Sequence, residues 1–240
     1  MKAPARGTRA RGTVARLIRE SPYHTAMILE TKAVAPFFKN GFVVACEDTL
    51  DGVIIDPGDE LDSLLQVIRD RRIAIRHILL THAHVDHVSG VARARETLGA
   101  PIHLHPLELP VYAAAVQQGL FFGLAIDQPP PVDHYYDASP IAFGRCEVRA
   151  HHTPGHTPGG VCLEVGRAGE PGTIVFSGDT LFNGSIGRTD LPGGDFQTLI
   201  RSITTVLFAF PDEIVVHPGH GPSTTIGEER RTNPFLTGRA

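Results

Sequence analysis

Thr81-His82-Ala83-His84-Val85-Asp86-His87 packs four metal-binding side chains, His82, His84, Asp86 and His87, into six residues of a 240-residue chain. Neutral imidazole together with carboxylate suits a borderline divalent ion such as zinc, iron or manganese. A structural site usually gathers its ligands from separate elements, so four in one segment point to two ions sharing it. Two ions acting together are the equipment of a hydrolase. The stretch follows Ile78-Leu79-Leu80, an apolar run that reads as a buried strand delivering the histidines onto its exit loop. Side chains alternate along an extended segment, which points His82 and His84 the same way, toward one ion. Asp86 and His87 fall near the first turn of a helix expected over Gly90 to Leu98, where they can face a second ion.

Three later segments repeat one arrangement: a β run, a glycine-bearing turn and a ligand-type residue. They are Thr153-Pro154-Gly155-His156-Thr157-Pro158-Gly159, Phe176-Ser177-Gly178-Asp179-Thr180 and His217-Pro218-Gly219-His220-Gly221-Pro222. Loops at strand ends are where a scaffold positions reactive side chains. Any of these histidines alone would read as a hydrogen-bonded structural residue. Beside the cluster at 82–87 the balance reverses, and His156, Asp179 and His220 join the candidate ligands.

Together these four segments resemble the metallo-β-lactamase superfamily, matching its H-x-H-x-D-H motif and its later ligand motifs in order, from about Ala26 to Pro234. The resemblance implies an α/β (α+β) fold, a four-layer αββα sandwich with the site at the sheet edges. It also implies two divalent metal ions, zinc foremost and iron or manganese tolerated. His82, His84 and His156 would bind the first, Asp86, His87 and His220 the second, and Asp179 would bridge them. Asp86 and Asp179 would in addition serve catalysis by keeping bound water oriented. The chain departs from true lactamases, which carry a cysteine ligand where it has Asp179. It looks most like single-domain members of the glyoxalase II branch, through Gly178-Asp179-Thr180-Leu181-Phe182, Gly187-Arg188-Thr189-Asp190, Pro192-Gly193-Gly194-Asp195, Glu228-Glu229-Arg230 and Asn233-Pro234.

That branch implies hydrolysis of a small-molecule thioester, foremost an S-acyl-glutathione such as lactoylglutathione, by a hydroxide bridging two ions. Arg188 occupies the position of a basic residue that contacts the thiol substrate; an internal ion pair with Asp190 or Asp195 is the other reading of it. Only 20 residues follow His220, whereas full-length glyoxalase II has a C-terminal helical domain that grips glutathione. The alternative is a persulfide dioxygenase of the same fold, with His82, His156 and Asp179 around a single Fe(II). The Gly219-His220-Gly221-Pro222 ending fits the hydrolase better.

Composition agrees with an ordinary globular enzyme: 42% hydrophobic, 20% charged, net charge −4. That charge gives no reason to expect nucleic acid or acidic lipid as a partner, and no apolar run approaches the roughly 20 residues of a membrane span. Cys46, Cys146 and Cys162 lack a CxxC spacing and read as buried thiols of a reducing compartment, the cytoplasm. Residues 1–20 carry +5 against −9 for the rest and read as a basic extension, a partly disordered tail before a single domain over 21–240. Oligomeric state is not legible.

Strands are expected at Ala26–Leu29, Phe42–Cys46, Val53–Asp56, His77–Leu80, Ile102–Leu104, Glu147–Ala150, Val161–Val165, Ile174–Phe176 and Glu213–Val216. Helices are expected at Leu61–Arg71, Gly90–Leu98, Leu107–Gln118 and Phe196–Phe208. Asp56, before Pro57-Gly58, either orients a ligand from behind or caps a turn. The aromatic, proline-rich segment Leu120–Pro140 is either a lid or surface packing.

Overall fold

The computed structural model describes residues 27–238; the basic extension, the expected domain start and Ala26 lie outside them. Six strands form a first sheet in chain order: β1 Met27–Lys32, β2 Gly41–Cys46, β3 Asp51–Ile55, β4 Ala74–Leu79, β5 Ile102–Leu104 and β6 His134–Tyr135. The second sheet contains β7 Ile141–Phe143, β8 Cys146–His152, β9 Val161–Arg167, β10 Ile174–Gly178, β13 Val215–Pro218 and β14 Thr224–Thr225. A small hairpin, β11 Leu181–Phe182 with β12 Ser185–Ile186, leaves the end of β10.

Alternation along the central strands creates three cores and so four layers. On β2, Phe42, Val44 and Cys46 face the second sheet, where Phe143, Val148, Leu163 and Phe176 meet them. Val43 and Ala45 point the other way, against Leu64, Leu65 and Ile68 of helix α1 Leu61–Arg71. The outer face of the second sheet sends Cys162, Val175 and Val216 against Leu199 and Ile203 of helix α6 Phe196–Thr205. Strands buried on both faces read as continuous apolar runs rather than alternating ones, which is how β2 and β10 look. The αββα sandwich expected from the sequence is the observed fold.

Three helical expectations are corrected. Asp86 and His87 do not open the helix beginning near Gly90; they sit in a separate turn, α2 Val85–Val88, ahead of α3 Val91–Leu98. Gly90 divides the two because it packs flush on the chain at Pro57-Gly58, its N–H donating to Pro57 O at 3.0 Å. The span Leu107–Gln118 is a 3-10 turn, Pro106–Glu108, followed by α4 Leu109–Ala113 and α5 Ala115–Phe121. Ala114 breaks the run by closing a tighter bond from its N–H to Val111 O, 3.1 Å. The last helix of the four ends at Thr205, with a 3-10 turn over Leu207–Ala209.

The side chains of the aromatic segment differ in burial. Phe121 and Phe122 stand exposed, whereas the Tyr136 hydroxyl accepts from Leu80 N at 3.1 Å inside the sandwich. All three cysteines are buried and free. Among the described residues no helix is long and apolar enough to cross a membrane.

Candidate metal centre

Every candidate ligand lies where a strand ends or a turn follows one, at the edge shared by both sheets. β4 stops at Leu79 and hands the chain to His82 and His84; β10 stops at Gly178 before Asp179; β13 stops at Pro218 before His220. His156 comes from the turn between β8 and β9. Backbone bonds hold these exits together: Val161 N donates to Thr81 O at 2.9 Å, and Gly219 N to Gly178 O at 2.8 Å. Glycine is required at two of them. Gly178 has φ +48°, and a side chain at Gly219 would collide with Asp179 Oδ1 and lie 2.7 Å from His87 Cε1.

The seven side chains converge. Within 4.8 Å of one another lie ligand atoms of His82, His84 and His156, of Asp86, His87 and His220, and of His82, His87 and Asp179. His84 Nδ1 is 2.9 Å from His156 Nε2, and His220 Nε2 is 3.1 Å from Asp86 Oδ2. Asp179 faces both groups, its Oδ2 3.7 Å from His156 Nε2 and 3.6 Å from His220 Nε2, its Oδ1 3.3 Å from His87 Nε2. His82 Nε2, His87 Nε2 and Asp179 Oδ1 are buried without a hydrogen-bond partner. Buried polar atoms are otherwise almost always satisfied, so three orphans aimed into one space fit a cation there.

Electrostatics make the same demand. Burial pushes His84 down to about 4, with the neighbouring His156 adding to it, and drives His82 well below the ordinary imidazole range. Burial also opposes charge on His87, but Asp86, Asp179 and Asp56 outweigh it and hold its imidazolium to about 10. Asp86 and Asp179 are both lowered despite burial, chiefly by His87.

A stability maximum follows for the metal-free protein. A folded-state value depressed below 6.5, as for His84, gives stability that is full above 6.5 and lost as pH falls toward about 4. The raised His87 gives stability that is full below 6.5 and lost as pH climbs toward about 10. Melting temperature in chelator should therefore peak near pH 6.5. A curve still rising through pH 9 would show that these charges are not arranged as described.

Second-tier contacts hold the ligands. Asp56, 1% exposed, accepts from Thr81 N at 2.7 Å, Thr81 Oγ1 at 2.6 Å and His87 Nδ1 at 2.9 Å. It therefore holds the ring of His87, the contact that the first of its two sequence readings requires. His156 Nδ1 is fixed by Arg188 O at 2.8 Å. The Arg188 guanidinium itself makes a bidentate pair with Asp190, 2.7 Å on each arm, while Asp195 caps α6 through Thr198 N. His152 takes no part; it stacks on His105 with ring centroids 4.2 Å apart.

Sequence reasoning missed three supports. Glu108, fully buried, accepts from Ala83 N at 2.9 Å and Gly159 N at 2.7 Å, tying the 82–87 loop to the loop of His156. An acid at the start of a helix reads only as a favourable first-turn charge, so nothing local signalled it. Lys39, 2% exposed, pairs with Glu60 at 2.7 Å and donates to Asp56 O, while Asn40 pins the His220 turn through Pro218 O and Gly221 O. Replacing Glu108 by Gln should cost about 1–3 kcal/mol, since the amide turns a donor toward one of two buried N–H groups. Thermal unfolding of E108Q at wild-type stability would remove Glu108 from the frame.

Comparison with known proteins agrees with this geometry. Residues 34–220 match the family described as Metallo-beta-lactamase superfamily. The hydroxyacylglutathione hydrolase GloC of Haemophilus influenzae is 35% identical over 218 residues, covering 89% of this chain and 100% of its own. The structure of TTHA1623 in a di-iron-bound form is 43% identical, with a TM-score of 0.76, over 86% of this chain and 100% of that one. The BLEG-1 B3 metallo-beta-lactamase is 36% identical, TM-score 0.79, over 87% and 99%. A relative described as a lactamase thus stands about as near as GloC, which does not support the separation from true lactamases drawn from Asp179.

Proposed function

The chain belongs to the metallo-beta-lactamase superfamily, and from that premise we propose a metal-dependent hydrolase of small-molecule thioesters. An S-acyl-glutathione is the leading substrate class and the cytoplasm the setting. In this reading His82, His84 and His156 hold one divalent ion, Asp86, His87 and His220 another, and Asp179 faces both. Zinc suits the ligand set first, and iron or manganese also fit. Two such ions supply a nucleophilic hydroxide at neutral pH and Lewis-acid polarisation of a carbonyl.

The chain's own residues do the positioning. Asp56 and the Arg188 carbonyl fix the ring orientation of His87 and His156, so each presents its other nitrogen to the centre. Asp86 and Asp179 keep their carboxylates ionised, which gives hydrogen-bond acceptors for orienting the attacking water. A thiolate leaves without a strong general acid, and none is needed. The Arg188–Asp190 pair is exposed, and surface pairs are worth roughly 0–1 kcal/mol. Arg188 can therefore exchange Asp190 for a carboxylate of the substrate at little cost.

The observation that carries the two-ion reading is the second group, Asp86, His87 and His220, complete beside the first. A single iron on His82, His156 and Asp179 would leave Asp86, His87 and His220, grouped beside it, without an ion. Release of free thiol from lactoylglutathione by the metal-loaded protein supports the proposal. Oxygen uptake on glutathione persulfide, or hydrolysis of a β-lactam with every thioester left intact, would overturn it.

A further inference from the structure

Beside the candidate metal centre lies a cleft of about 720 Å³ with His84 in its lining. Its lining also includes Leu107 and Val111, Phe121 and Phe122 at the end of α5, and Leu191 and Pro192. Among the described residues no Asp, Glu, Lys or Arg lines it. Leu107, Phe121 and Phe122 are 52%, 84% and 54% exposed. Contiguous apolar surface of this kind on a globular chain marks a binding site more often than idle surface. The aromatic part of the lining is assembled rather than stray: Phe122 meets Phe121 and Phe37 edge-on, with ring centroids 5.2 and 5.5 Å apart.

We propose that this cleft receives the acyl group of the substrate, so that the protein prefers thioesters of apolar acyl groups, long-chain or aromatic, over the short polar lactoyl group. The inference rests on the thioester reading above. Its two grounds are continuity and charge. His84, one of the candidate ligands, is part of the cleft's lining, so a group lying in the cleft sits beside the candidate metal centre. The thiol carrier of a glutathione thioester bears carboxylates, which would be desolvated here without a cation to pair with. An apolar acyl chain pays no such penalty, and the volume falls in the ordinary range for a ligand pocket.

The test uses the zinc-loaded full chain and glutathione thioesters bearing acetyl, lactoyl, butanoyl, hexanoyl and octanoyl groups. We expect kcat/KM to rise about fourfold per methylene until the cleft is full. In Phe121→Asp the ratio of octanoyl to acetyl kcat/KM should collapse toward one, with the melting temperature unchanged because that side chain is exposed. Calorimetry with S-octyl and S-methyl glutathione, which are not hydrolysed, gives a readout independent of turnover; the octyl thioether should bind at least tenfold tighter. Thioesters cleaved at rates indifferent to chain length, or fastest for lactoyl, overturn the cleft assignment and leave the hydrolase reading standing. No cleavage at any length overturns the hydrolase reading and with it the acyl role of the cleft. A dimer abolished by Phe121→Asp, with no octyl preference, would assign the cleft to a second copy of the chain instead.

Discussion

Asp179→Ala should abolish turnover, lowering kcat/KM on the order of 10³-fold or more. Its carboxylate faces both halves of the centre, 3.7 Å from His156 and 3.6 Å from His220 by one oxygen and 3.3 Å from His87 by the other. Without it, each set of histidines keeps its own geometry, but nothing couples them, and the charge that balances two cations falls. The histidines rest on Asp56, Arg188 O and the buried network around Glu108, none of which touches Asp179, so the fold should survive. Kinetics on a thioester, read beside metal content, checks this. Activity within tenfold of wild type would mean that Asp179 is not shared between two ions.

Asp56→Asn is expected to weaken metal binding about 10–100-fold, the usual cost of disturbing a group behind a ligand. Asn tolerates the left-handed backbone that Asp56 adopts at φ 48°, so the turn into Pro57-Gly58 is kept. What changes is the acceptor count. The carboxylate takes three hydrogen bonds, from Thr81 N, Thr81 Oγ1 and His87 Nδ1. An amide puts a donor against one of them, and His87, fully buried, loses the partner that fixes its ring. Competition titration against a chromophoric chelator measures the affinity. An unchanged affinity would reduce Asp56 to a turn residue.

All seven candidate ligands were legible because their signal is local: a dense H-x-H-x-D-H run, then three turns in which glycine leaves room for a ligand beside a strand end. Strand identity was equally local, since doubly buried strands appear as unbroken apolar runs, and α1 matches its pattern from Leu61 to Arg71. What stayed hidden depends on partners far along the chain. Asn40 reaches Pro218 across 178 positions, and Glu108 reaches Gly159 across 51. The short strands β6, β11 and β14 carry two residues each, and pairing rather than composition makes them strands. Helix α7, Ile226–Thr232, was a readable omission: Thr225 caps it by accepting from Glu228 N, the signature of a capping box. The apolar cleft was half visible in Leu107, Phe121 and Phe122, but only folding brings Leu191 and Pro192 into the same lining.

Metal content and product measured on one purified sample test the central claim most directly. Two equivalents of a divalent transition ion per chain, lost together with thioester hydrolysis on chelation and restored together on readdition, is the predicted result. One tightly held iron per chain, with oxygen consumed on a persulfide and no thiol released from any thioester, would contradict it.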